Sequence, residues 1–219
     1  MLGYYPLFFE TVNYPILIGF IVSSSALAIS PGPDNIFVLT QSISNGVKAG
    51  LVTVLGLVSG CLVHTSLLAF GVSEIIKRSD VLFLGIKLFG ALYLLYLAVK
   101  VFRSDTVISL ESQRESNISR QGMFWKGFVM NVLNPKVTIF FLAFFPGFLF
   151  SESLSPVFQF YVLGLLFMLA AFVIFGLIAL LAGSISGFLY RNPKTGEYLK
   201  WLQIVVFVGI AAYLLLSDK

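Results

Sequence analysis

The sequence predicts an all-α polytopic membrane protein: six transmembrane helices forming two inverted three-helix repeats, with the first and fourth helices broken at proline motifs. Three observations predict it. Hydrophobic residues make up 58% of the 219, and the mean hydropathy is +0.96, far above the soluble range. Six apolar stretches each reach the roughly 20 residues that a bilayer core of about 30 Å requires. The prolines inside the first and fourth stretches fall at matching places in the two halves.

The first stretch runs from about Tyr14 through "ISPGPDN" (29–35) to Ser44, and the second from Val47 to Val72. The third covers Val81 to Phe102, the fourth Gly122 to Phe150, the fifth Pro156 to Ile185 and the sixth Tyr198 to Leu216. The longest polar stretch, 103–121, reads as a loop, so no soluble domain fits between spans. One transmembrane domain therefore occupies 1–219, with repeat 1 at about 1–102, a cytoplasmic loop at 103–121 and repeat 2 at about 122–219. The N-terminal "MLGYYPLFFE" has no basic region of the kind that opens a secretory signal, so the first span reads as retained.

Charge placement gives an orientation. With six spans, one face receives Lys48, Lys100, Arg103, Arg114, Arg120, Lys126, Arg191, Lys194 and Lys200, nine cations in all. The other receives Lys77, Arg78 and Lys219. The positive-inside rule puts the first face in the cytoplasm and both termini outside. The same placement explains the +4 net charge as a topology signal and argues against a nucleic-acid partner. A lone cysteine, Cys61, excludes an intrachain disulfide and a cysteine-rich metal site, and no cofactor is expected.

The halves resemble each other. "VLGL" recurs at 54–57 and 162–165, "YLL" at 93–95 and 213–215, and Pro33 corresponds to Pro135 in "NVLNPKVTIFF". Three spans per half make the second half run in the opposite sense. That is the inverted repeat of many secondary transporters, which bind substrate at the repeat interface on broken helices.

The breaks carry the chemistry. Proline removes a main-chain hydrogen bond from a helix, and an unsatisfied main-chain group in hydrocarbon costs several kcal/mol. Pro31, Gly32 and Pro33 make a regular helix through the first motif improbable. Pro135 interrupts the second, where Asn131, Asn134 and Lys136 can satisfy freed groups. Asp34 follows Pro33 as Lys136 follows Pro135, so matched positions carry opposite charges. Charges deep in a bilayer are usually buried, paired and functional. The pair is expected to face each other across the repeat interface, either binding the two ends of a zwitterion or with Asp34 carrying a proton beside Lys136. A structural salt bridge, or a Lys136 that snorkels to the interface, is the competing reading.

Asn35 and Asn134 flank the charges and join the candidate substrate and proton site. His64, the only histidine, is a candidate proton group or a hydrogen-bonded core residue. Lys87 is another candidate, with snorkelling toward the outer interface as its default. Gly56 and Gly60 form a GxxxG suited to close helix packing. The aromatic run "FFLAFFPGFLF" (140–150) reads as an outer-interface anchor or as lining of a substrate path.

"SPGPDNIFVLTQSISNGVKAGLVTVLGLVSGCLVH", "KLFGALYLLYLAVKVFR" and "NPKVTIFFLAFFPGF" together resemble the LysE/RhtB family of bacterial amino-acid exporters, in order along nearly the whole chain. The resemblance implies six hydrophobic segments, residence in the bacterial cytoplasmic (inner) membrane, and efflux of amino acids or close derivatives by proton antiport. Its motif positions fall on Pro31, Gly32, Pro33, Asp34, Asn134, Pro135 and Lys136. The implied partners are an amino-acid substrate, a proton and the lipid bilayer. The working unit is left open between monomer and homodimer. An enzyme is not expected, since no HExxH or GxSxG motif is present. The alternative is export of a metal ion or other small solute through a similar core, and no metal-ligand set is evident.

Overall fold

The computed structural model describes residues 12–73, 79–104, 119–192 and 194–216, which are helical with no strand among them. The N-terminal decapeptide, Lys77, Arg78, Arg114, Lys219 and most of the expected 103–121 loop lie outside the described residues.

The helices start where capping chemistry allows. α1 (Tyr14–Ile29) opens on Asn13, whose side chain accepts from the Ile16 N–H at 3.3 Å, with Pro15 in the first turn. α2 (Pro33–Asn45) begins on proline and ends at Gly46, whose φ of +84° is a left-handed value that glycine accepts freely. α3 (Val47–Leu67) continues through a π turn, Leu68–Val72. α4 (Asp80–Arg103) and α5 (Arg120–Val132) are capped by Ser79 and Ser119. α6 (Pro135–Ile139) runs on through a π turn, Phe140–Phe144, and a 3₁₀ turn, Phe145–Phe148. α7 (Pro156–Leu180) is capped by Ser155, α8 is Ala182–Arg191 and α9 is Thr195–Leu216. The serine and asparagine caps take up N–H groups that the first helical turn leaves free.

Four of these helices, α3 with its π turn, α4, α7 and α9, are long and apolar enough to cross a membrane. The other two candidates are bent pairs, α1 with α2 at 57° and α5 with α6 at 48°. The fifth apolar stretch stops short of its expected end. α7 finishes at Leu180, and the chain turns at Leu181 into α8. Beyond that point the sequence changes from continuous Leu, Ile and Phe to "AGSISG", which has too little apolar surface to continue a buried span.

α3 lies along α5, α4 along α9, and α7 along α1 and α3. The α3–α5 seam is tight because both sides are glycine. A Cβ on Gly56 would overlap the Phe124 carbonyl, and one on Gly127 would come within 2.6 Å of the Thr53 carbonyl. The GxxxG reading therefore holds as close helix packing.

The aromatic run is not an interface anchor. Phe140, Phe141, Phe144, Phe145, Phe148 and Phe150 are all buried, and they join Phe20 of α1 and Phe167 of α7 in one block. Phe141 stacks on Phe145 at 4.1 Å, and Phe20 meets Phe145 edge-on at 4.8 Å. The unusual turns of α6 account for this. A uniform α-helix spreads consecutive residues around its axis at 3.6 per turn, whereas α, π and 3₁₀ turns in succession bring most of these rings to the interior.

Gly56→Ala should lower the stability of the purified protein by about 1–3 kcal/mol, because the added methyl meets main chain that cannot move aside. Gly85→Ala, where nothing lies within 4 Å of the new Cβ, is the control and should be neutral or slightly stabilising. Thermal unfolding in detergent measures both.

Candidate functional site

Both breaks are built on the same plan. After α1 the chain runs extended through Ser30 to Gly32, and Pro33 takes the first position of α2. After α5 it passes through Leu133 and Asn134, and Pro135 takes the first position of α6. Proline costs nothing there, because the first N–H of a helix has no partner to lose. The break therefore lies just before each proline.

Each break is completed by the other half of the chain. Asp34, in the first turn of α2, is 4% exposed. It accepts from Asn134 Nδ2 at 2.9 Å and from Asn131 Nδ2 at 3.3 Å. Lys136, in the first turn of α6, is 8% exposed. Its Nζ donates to the carbonyls of Leu27 at 3.0 Å and Ser30 at 2.8 Å. These oxygens end α1, where the helix dipole favours a cation. Asp34 sits at a helix start, where the dipole favours an anion. Two local bonds finish the site: Asn35 Nδ2 donates to the Ala28 carbonyl at 2.7 Å, and Asn134 Oδ1 accepts from the Lys136 main-chain N–H at 3.0 Å.

Asp34 and Lys136 thus meet at one place without bonding each other. Both line a small cavity of about 20 Å³, with Asn35, Cys61, Asn131 and Asn134 also in its polar lining and Leu27, Val137, Phe167 and Phe175 in its apolar lining. That volume holds about one water molecule. The two charges share the cavity, and each is held by its own set of hydrogen bonds from the facing break rather than by the direct salt bridge of the competing reading. Desolvated charges need several partners, and amides or carbonyls supply them at fixed positions.

Residues 25–218 match the LysE type translocator family over most of the chain. The chain belongs to this family. Among curated relatives of this translocator are the leucine efflux proteins of Salmonella choleraesuis, Salmonella paratyphi A and Salmonella typhimurium. Each is 26% identical over 195 residues, which cover 89% of this chain and 92% of the relative. No solved structure matches the chain. Family and apolar helices together make this a multi-pass membrane protein.

The structure gathers Asp34, Asn35, Asn134 and Lys136 around the cavity and leaves two candidates outside its walls. His64 is buried on α3, with Nε2 3.2 Å from the Asn131 carbonyl and its ring against Phe141. That contact makes Nε2 the protonated nitrogen, because a carbonyl only accepts. Lys87 is not among the residues that line the cavity; it is buried, with its ammonium 6.0 Å from the centre of the Phe83 ring. It packs on a ring one turn away in α4 and does not reach out along the surface.

Sequence reading noticed Asn131 only as a main-chain partner. It is 1% exposed and is braced by successive turns of α3. Gly60 leaves room for its side chain, Cys61 Sγ lies 3.6 Å from its Oδ1, and His64 contacts its carbonyl. The available signal was spacing: residues 60, 61 and 64 share one face of a helix, and that face carries glycine, cysteine and the only histidine.

Asn134→Ala should be costly, because it leaves one Asp34 oxygen and the Lys136 N–H without partners. We expect a loss of about 1–3 kcal/mol per orphaned group, read as a lower unfolding temperature. Asn192→Ala, at an exposed position, should leave that temperature unchanged.

Proposed function

We propose that this translocator is a secondary exporter of neutral amino acids across the bacterial inner membrane, with leucine the first substrate to test. The observation that carries this reading is a buried cavity holding one carboxylate, one ammonium and an apolar wall. The substrate's own ammonium and carboxylate match Asp34 and Lys136. Lys136 has a third N–H beyond the two given to α1. Leu27, Val137, Phe167 and Phe175 suit an aliphatic side chain. The relatives named as leucine efflux proteins support the same choice.

Export follows from competition at Asp34. One carboxylate takes either the substrate ammonium or a proton, so loading from one face with substrate and from the other with a proton gives antiport. At about 20 Å³ the cavity is too small for an amino acid, so the two halves must separate on one side to load it. Six spans in two inverted repeats give a mechanism for that movement. The repeat reading is supported by the two matching bends, by Pro33 and Pro135 at equivalent helix starts, and by the pairing of α3 with α5 and of α7 with α1. The cytoplasmic placement of the nine-cation face is supported by Lys48 and Arg120, which line one open cleft at the starts of α3 and α5. Metal export is the weaker alternative, because among the described residues no group of three His, Cys, Asp or Glu side chains comes together.

Cells expressing the protein and fed a leucine-containing dipeptide should release leucine faster than cells carrying an empty vector. Asp34→Asn at equal protein level should cut the excess by about tenfold or more, the cost of losing one charge-assisted hydrogen bond. Release no faster than from vector cells would remove leucine as substrate. Undiminished release by Asp34→Asn would remove the role given to Asp34.

A further inference from the structure

The termination of α1 has the form of a cation site. At its end the carbonyls of Leu27 and Ser30 converge on one point. In broken-helix transporters, carbonyls freed in this way coordinate sodium. Here the point of convergence holds the Lys136 Nζ, 3.0 Å from one oxygen and 2.8 Å from the other. The Ser30 hydroxyl is fully buried and has no hydrogen-bond partner in the described structure, and the Asp34 carboxylate lines the same cavity. Gly32 adjoins the ammonium: a Cβ there would sit 3.4 Å from Nζ, in ordinary contact.

We propose that the Leu27 and Ser30 carbonyls form a monovalent-cation site whose permanent occupant is the Lys136 ammonium. The protein therefore works without an alkali ion, and removing the side chain opens the site to one. Lysine meets the requirement because its ammonium is a compact point charge on a long stem, close in character to a hydrated alkali ion. It arrives from α6, in the other half of the chain, so the tethered cation also ties the second broken pair to the first. An exchangeable ion at this place would release that tie whenever it left. The proposal goes beyond the amino-acid reading and does not depend on it, because its test reads ion binding alone.

The test is thermal unfolding of purified wild type and Lys136→Ala in NaCl, KCl and choline chloride at equal ionic strength. Wild type should unfold at the same temperature in all three. Lys136→Ala should be less stable in choline and should gain about 2–4 °C when Na⁺ or K⁺ is supplied well above its dissociation constant. Lys136→Met, which keeps the aliphatic stem, replaces Lys136→Ala if the latter does not fold. Stabilisation of the wild type by Na⁺ or K⁺ over choline would overturn the proposal, since the site would then already take a free ion. A folded Lys136→Ala protein indifferent to both ions would overturn it equally.

Discussion

A helix broken inside a membrane exposes main-chain oxygens and N–H groups that no water can reach, and each left bare costs several kcal/mol. This chain contains two such breaks, and each is completed by the other. Lys136 of the second closes the carbonyl end of α1, while Asn131 and Asn134 of the second supply the donors that Asp34 of the first requires. Neither break is tolerable alone. The halves meet because their unsatisfied groups are complementary, and the cavity between them is the place where the two sets of charges meet.

The rest of the fold holds that meeting place still. The glycine seam brings α3 against α5, so that Gly60, Cys61 and His64 can brace Asn131 from one side. The phenylalanine block of α6 packs Phe20 and Phe167 against the later turns of the second half-helix. An amide held by three neighbours on one helix face cannot rotate freely, which fixes its donor on Asp34. Rigid amides and carbonyls are the partners a buried charge needs, since their dipoles are already oriented when the charge arrives.

Much of this was legible in the sequence, for a physical reason. Hydrocarbon permits few backbone solutions, so apolar length gave the span candidates. Prolines inside those lengths marked the breaks, and opposite charges after matched prolines marked the site. What was not legible depended on three-dimensional packing. The same phenylalanines could face lipid or core, and only the change of helix type along α6 turns them inward. Lys87 lies close enough to a span end to snorkel, yet it packs on Phe83. Asp34 and Lys136 were expected to face each other, with a direct salt bridge as the competing reading. A partner of opposite charge is the simplest way to satisfy a buried ion, and the sequence does not show that carbonyls and amides from the facing break already fill those positions. The end of α7 was missed by a few residues because alanine, glycine and serine are compatible with both a span and a surface helix.

Cys61 offers a native probe of the central claim, that the crossed bonds from Lys136 and Asp34 keep the cavity closed. It is the only cysteine, is 1% exposed and lines the cavity. The decisive measurement is its rate of modification by a small, water-soluble thiol reagent, compared between wild type and a folded Lys136→Gln protein in the same vesicles. The account predicts slow labelling of the wild type and markedly faster labelling once the Lys136 contacts to Leu27 and Ser30 are cut. Equal rates in the two proteins would contradict it, because the cavity would then be closed by something other than the bonds between the breaks.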